Sequence, residues 1–195
     1  MIDLSKLDIK GHVTIKDVET DEVLVSKYNQ IHYENLTIAI AYALSASPDG
    51  HIFEMHFGNG GSVVSGTGAI TYFPPNSTGI DADLYNPTYY KVIDDSSPLN
   101  TNPARNSVNA KHQIGDLFSD VLIRCILEYN EPLGQQVFDD AVNQEGDFIF
   151  DEIGLKVFGS TPGTGYLISH VIFNPIQKSL NRQLEIIYQI RIQMC

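Results

Sequence analysis

The stretch Leu184-Glu-Ile-Ile-Tyr-Gln-Ile-Arg-Ile192 decides the fold. Leu184, Ile186, Tyr188, Ile190 and Ile192 recur at every second position, while Glu185, Gln189, Arg191 and Gln193 fall mainly between them. Successive side chains of an extended backbone point to opposite faces, so this spacing predicts a strand with one face in a core and the other in water. Upstream, Gly165-Tyr-Leu-Ile-Ser-His-Val-Ile-Phe-Asn-Pro-Ile-Gln-Lys178 is a second extended apolar run, and Ser179-Leu-Asn-Arg-Gln183 is left as the connection. The two runs read as a β-hairpin that closes the domain and seals its core. Nothing catalytic sits on it.

Working outward, the same alternation opens the chain. His12-Val-Thr-Ile-Lys-Asp-Val18 and Val23-Leu-Val-Ser-Lys27 flank the polar turn Glu19-Thr-Asp-Glu22 and predict an opening hairpin. From Asn35 the period changes. Leu36, Ala39, Ile40, Ala43 and Leu44 recur at helical spacing, with Asn35 as N-cap and the breakers Ser45-Ala-Ser-Pro-Asp-Gly50 as the stop, which predicts one helix over residues 35–46. Further strands are expected at His51–Phe57, Ile70–Phe73, Thr88–Ile93, Val121–Tyr129 and Phe148–Phe158, the last with a bulge at Gly154. Seven to nine strands against one helix predict a mainly β protein, an antiparallel β-sandwich with a barrel as the rival.

A chain of 195 residues fits one domain and can bury roughly two-thirds to three-quarters of its unfolded surface. Residues 1–195 therefore read as one domain, with a loop-rich insertion at about 62–115. That stretch is rich in Gly, Pro, Asn, Ser and Thr, and Asp94–Arg105 has almost no apolar content. Loops of this length are uncommon in a compact domain unless they bind something or are ordered by a neighbour, so the insertion is where intersubunit arms are expected. The candidates for interface contacts are Tyr85, Tyr89, Tyr90, Asn100 and Arg105; tyrosine combines apolar area with a hydroxyl, which suits an interface or a sugar platform. With no tryptophan in the chain, interface outweighs sugar.

Charge excludes one class of partner. A formal net charge of −12 and scattered basic residues leave no cluster of Lys and Arg to release counterions from nucleic acid. No apolar run approaches the roughly 20 residues of a membrane span, and Met1–Asp8 has no signal-like core. The triplets at Asn35 and Asn76 match the glycosylation pattern by chance on this reading. Two cysteines, Cys125 and Cys195, make no disulfide or zinc framework, and Cys125 lies in an apolar alternation that predicts a buried small hydrophobe. This usage fits a reducing compartment.

The residues that carry chemistry elsewhere do not assemble into a motif here. Phe57-Gly-Asn-Gly-Gly-Ser62 and Gly66-Thr-Gly68 lack the strand and helix context of a phosphate or dinucleotide loop, and Gly60 and Gly61 are expected to supply positive φ in a tight turn. His12, His32, His51, His56, His112 and His170 have no metal-ligand spacing. Asp81/Asp83, Asp94/Asp95, Asp139/Asp140 and Asp151/Glu152 read as solvated loop charge, with a calcium ion near Asp81-Ala-Asp83 as a side possibility that a melting-temperature titration tests. No nucleophile elbow occurs, and Ser169 and His170, being adjacent on a strand, point apart. No catalytic residue, metal ligand or cofactor is predicted.

Three segments resemble a known family. Gly11–Val25 with Asn29-Gln-Ile-His32 and Met55-His-Phe-Gly-Asn-Gly-Gly61 is similar to the opening of many tailed-bacteriophage virion proteins. Phe150-Asp-Glu-Ile-Gly-Leu155, Phe173-Asn-Pro-Ile-Gln-Lys178 and the final alternating strand resemble the ending of phage tail-fibre and baseplate-associated proteins. The resemblance covers about half of the chain, at its two ends. It implies a virion protein assembled in the host bacterial cytoplasm, a homo-oligomer in contact with other virion proteins, at the tail, baseplate or neck. No repeat, coiled coil or β-helical shaft follows, which favours a compact adaptor or fibre-attachment protein over a receptor-binding fibre. A capsid decoration protein is the alternative, and a host-glycan-binding module using Tyr85, Tyr89 and Tyr90 is the rival from another class; a hydrolase of unfamiliar type is a third.

Overall fold

A computed structural model describes residues 6–132 and 148–194. The chain is mainly β, two five-stranded antiparallel sheets packed face to face, with one helix and a separate two-stranded ribbon. In chain order the elements are β1 Leu7–Asp17, β2 Val23–Tyr28, β3 Gln30–Ile31, α1 Tyr33–Leu44, β4 Ile52–Gly58, β5 Ser62–Val64, β6 Ile70–Tyr72, β7 Pro87–Val92, β8 Ser107–Lys111, β9 Phe118–Leu127, β10 Phe148–Val157, β11 Leu167–Lys178 and β12 Leu184–Met194. The first sheet runs β2-β1-β12-β9-β8 and the second β3-β11-β10-β4-β7, while β5 and β6 form the ribbon. Twelve strands among the described residues exceed the expected seven to nine because β3, β5 and β8 are too short to show a period.

The closing run is a strand, but it does not close a hairpin. β12 lies at the centre of the first sheet, against β1 from Leu7↔Met194 to Asp17↔Leu184 and against β9 from Leu184↔Leu127 to Gln193↔Phe118. β11 lies in the second sheet, between β10 and β3. The connection therefore crosses from one sheet to the other. It is held over the first sheet by Arg182 Nε donating to Asp17 Oδ2 at 2.6 Å, Val18 N to the Gln183 carbonyl at 3.1 Å and Asn130 N to the Leu180 carbonyl at 2.8 Å. The opening hairpin forms as expected, His12↔Tyr28 through Lys16↔Val23.

Between the sheets, Val13, Ile15, Ile123, Cys125, Leu127, Ile186 and Tyr188 meet Met55, Phe57, Ile153, Leu155, Val171 and Phe173. Burial at roughly 25 cal/mol per Å² of apolar surface makes this layer the main source of stability. Cys125 is buried here, and that burial pushes its thiol up to about 12, so it is an inert hydrophobe. Cys195 lies outside the described residues.

Two local expectations are corrected. The helix begins at Tyr33, and its N-cap is His32, whose Nδ1 accepts the Asn35 N–H at 3.2 Å. Asn35 is buried in the first turn instead, donating its amide to the Ile80 and Leu167 carbonyls. Gly154 is in register with both His170 and His56, so it makes no bulge; an added Cβ would stand 2.5 Å from Leu84 Cδ1 and 2.6 Å from Leu167 Cδ1. The register slips instead between Phe150↔Ile176 and Glu152↔Ile172, with the surplus on β11 at Phe173-Asn174-Pro175, where Pro175 has no N–H for a ladder. Within the loop-rich stretch 62–115 the strands expected at Ile70–Phe73 and Thr88–Ile93 form as β6 and β7, with β7 extending the second sheet and β8 the first.

Candidate interaction surface

The outer face of the second sheet should meet water, yet Glu54 and His56 on β4, Glu152 and Lys156 on β10, and His170 on β11 are all buried. Phe73–Asn86 forms a strap across this face, and the loop 159–165 covers its end. Buried charge is tolerated only when its partners are built in, and here they are. Glu152 Oε1 accepts the backbone N–H groups of Gly60 at 3.0 Å and Asn86 at 2.8 Å; Oε2 accepts those of Tyr85 at 2.9 Å and His170 Nε2 at 3.0 Å. Burial alone pushes this carboxyl up, but the hydrogen bonds from His170, Asn86, Tyr85 and Gly60 outweigh it and hold the group below its ordinary range.

His170 is fixed by its second nitrogen. Its Nδ1 lies 2.8 Å from the Asn76 N–H and must accept it, so the ring proton sits on Nε2 and is given to Glu152. Glu54 takes His56 Nε2 at 2.9 Å and the Gly163 N–H at 2.9 Å. Lys156 Nζ reaches Asp83 Oδ2 at 2.8 Å, and Asp83 Oδ1 accepts the Leu84 N–H. Glu54, Glu152, Lys156 and His170 each bond the strap or loop above them, and His56 is tied to Glu54. That is the chemistry of a fastening. Among the described residues no group of three or more His, Cys, Asp or Glu is placed to hold a metal ion. The calcium idea at Asp81-Ala-Asp83 meets an Asp83 already engaged by Lys156; Asp139 and Asp140 lie outside the described residues.

The glycine turn that precedes the ribbon belongs to this fastening. Phe150 and Ile153 both face the core, so Asp151 and Glu152 between them both reach outward. Asp151 Oδ1 accepts the Gly61 N–H at 2.9 Å and Oδ2 the Ser62 hydroxyl at 2.6 Å. Burial pushes Asp151 up, opposed by the bonds from Ser62 and Gly61 and reinforced by the charge of Glu152. Gly60 and Gly61 are not among the positive-φ glycines, which corrects their expected role. They are glycines because of close approach: a Cβ on Gly60 would stand 2.7 Å from the Asn86 nitrogen, and one on Gly61 3.1 Å from the Asp151 carbonyl.

From that base the β5–β6 ribbon stands out. Ser62↔Tyr72, Val63↔Thr71 and Val64↔Ile70 pair across it, and Ser65–Ala69 make the turn with Gly68 at φ +84°. Val64 and Ile70 share one face with Tyr72; Val63 and Thr71 share the other. Val63 is 50% exposed, Val64 64% and Ile70 42%, a concentration of apolar side chains in water. At the base Tyr72 donates its hydroxyl to Asn174 Oδ1, and Phe73 packs on Tyr85 with ring centroids 5.2 Å apart. The 24 residues from Phe57 to Ile80 contain no Asp, Glu, Lys or Arg, in a chain that is 18% charged. That gap in charge was the signal in the sequence for this surface.

The five residues expected at an interface are not brought together. Tyr85 lies in the strap, its backbone N–H on Glu152 and its hydroxyl on the Pro74 carbonyl at 2.7 Å. Tyr89 and Tyr90 are consecutive on β7 and face opposite ways. Tyr89 packs on Phe57, and burial pushes its hydroxyl well above the ordinary tyrosine range. Tyr90 stacks on His56 at 5.4 Å and lines an open groove of about 500 Å³ with Val92, Leu99 and Pro162. Asn100 is buried, its amide given to the Asp94 and Asn106 carbonyls, and Arg105 is spent on both oxygens of Glu128 at 2.7 Å. The loop Asp94–Arg105 is thus tied down within its own chain.

Comparison of the chain with models of known protein families, with curated proteins and with solved structures finds no match. Among the described residues no helix is long and apolar enough to cross a membrane.

Proposed function

We propose that this chain is a non-enzymatic structural subunit of a tailed-bacteriophage particle, a tail, baseplate or neck adaptor or a fibre-attachment protein, that assembles with its own copies and with other virion proteins. The observation that carries the reading is the uncharged apolar ribbon, whose base is fastened by the buried carboxylates of Asp151 and Glu152. Large exposed apolar surface on a rigid support is what an assembly contact needs. The similarity of the two chain ends to phage virion proteins gives the setting.

Quantitative mass spectrometry of purified particles tests the setting. The expected result is this polypeptide at fixed stoichiometry in the tail fraction after heads and tails are separated. Recovery with the heads would favour capsid decoration, and absence from particles would end the virion reading. The Tyr90 groove favours one second reading, recognition of a host glycan; a glycan array with wild type and Tyr90→Ala decides it, since only a Tyr90-dependent signal supports it.

A further inference from the structure

A recess opens where the chain changes sheets. β1 pairs with β12 from Leu7 to Asp17, but β2 covers its other edge only over His12–Lys16. After Tyr28 the chain leaves the first sheet, and at Gln30–Ile31 it joins the second. The gap between β1 and this crossing holds about 520 Å³, within the range of a small-molecule site, and Tyr28 and Tyr33 stand in its wall 74% and 58% exposed. A second recess of about 290 Å³ shares Lys10, Gly11 and Tyr28 with the first, so the Tyr28 ring borders both.

The wall is fixed from behind. Asn29 donates its backbone N–H to the Gly11 carbonyl at 3.1 Å and its side-chain amide to Ser169 Oγ, and it lies so close over Gly11 that a Cβ there would stand 1.9 Å from Asn29 Oδ1. That oxygen is buried and has no partner among the described residues. Buried acceptors in folded proteins are nearly all satisfied, and this one meets a ligand hydroxyl once the amide tilts into the recess. Tyr28 is steadied edge-on by His12, with ring centroids 5.2 Å apart.

Chemistry selects the ligand. The exposed tyrosine rings offer flat apolar faces with a hydroxyl at the rim, which suit the C–H face of a sugar ring. Asn29, Gln30 and Gln189 add amides, each both donor and acceptor, to match neighbouring hydroxyls. The cations that border the recesses are already paired: Lys10 with Asp8 at 2.7 Å, and Arg191 with both oxygens of Asp120 at 2.8 and 2.9 Å. A nucleotide or an acidic glycan would therefore gain no charge partner and would meet the repulsion of a chain of net charge −12. We propose that the Tyr28–Tyr33 recess binds an uncharged oligosaccharide, one sugar ring against the two tyrosines and the next in the compartment beside Gln189. The site is separate from the Tyr90 groove, because β3 and β7 are opposite edges of the second sheet.

A glycan array carrying neutral and acidic sugars, followed by calorimetric titration of the strongest neutral sugar, tests this on the full chain. Wild type is compared with Tyr28→Ala, Tyr33→Ala and Tyr90→Ala; the three side chains are exposed, so the fold is retained, as circular dichroism should show. The expected result is binding of neutral sugars, weakened about tenfold by Tyr28→Ala and by Tyr33→Ala, the order of one lost aromatic contact, and unchanged by Tyr90→Ala. No neutral sugar bound, affinity unchanged in both Tyr28→Ala and Tyr33→Ala, or a signal that falls only with Tyr90→Ala would each overturn the proposal. Sugar binding by a protein absent from purified particles would keep this site and end the virion reading; presence in particles without sugar binding would do the reverse.

Discussion

The outer faces of the two sheets treat their polar side chains in opposite ways. On the first sheet β1 and β12 alternate cleanly between buried and partly exposed, and charges such as Arg124–Glu185 and Arg191–Asp120 pair at the surface. On the second sheet β4 from Phe53 to Gly58 and β11 from Leu167 to Phe173 are buried on both faces, with Glu54, His56, Glu152 and His170 sealed under strap and loop. One face is the protein's coat; the other is the foundation on which its projecting ribbon is built. Surface ion pairs contribute little, whereas a buried carboxylate with four donors cannot lose its place without stranding them.

The widest separation between the two faces comes from deleting that carboxylate. Glu152→Ala leaves the N–H groups of Gly60, Tyr85 and Asn86 and the His170 ring without an acceptor, and should cost about 3–5 kcal/mol in urea unfolding. A loss under 1 kcal/mol would mean that the strap is not fastened there. Next, Gly154→Ala drives a methyl into Leu84 and Leu167 and should cost about 1–3 kcal/mol, because Leu84 is the strap's own anchor in that row. Melting temperature reads it directly.

Acid should probe the same foundation. The carboxyl of Glu152 is held below its ordinary value in the folded chain, so its stabilisation is complete above the ordinary glutamate range near about pH 4.3 and is lost as pH falls through the folded value. Asp151, pushed up by burial, acts with the opposite sign: it favours the fold less once pH rises through the ordinary carboxylate range. Glu152→Gln should therefore flatten the acid limb of the stability curve, and Asp151→Asn should relieve a penalty at neutral pH; an unchanged acid limb in Glu152→Gln would contradict the assignment. The smallest effect belongs to the coat. Arg124→Ala removes an exposed pair with Glu185 and should change stability by about 0–1 kcal/mol.

The same contrast explains what could be read from the sequence. Strands of the coat, His12–Val18 and Leu184–Ile192, announced themselves because one face meets solvent and the period of two is visible. β4 and β11 are recognisable as extended apolar runs, but nothing local says that their polar members are covered, since the backbone groups over His170 and Glu54 lie 94 and 109 residues away in sequence. Glycines were legible as special positions and not in their role: Gly60, Gly61 and Gly154 serve close approach, which depends on residues from other strands. The crossing of β11 and β12 into different sheets was hidden for a similar reason, because a five-residue connection fits a hairpin and an arch equally well. The tyrosines drew notice by residue type, while the ribbon's missing charge, a feature of absence, did not.

The central claim is that a sealed, charged face holds out an uncharged ribbon for other copies to grip. Peptide-resolved hydrogen exchange tests it most directly, comparing the wild-type protein assembled and diluted until its copies separate. The account predicts slow exchange at Gly60, Tyr85 and Asn86 in both, and slow exchange across Ser62–Tyr72 only in the assembly. Equal exchange of the ribbon in both states, or rapid exchange at the strap amides in either, would contradict it.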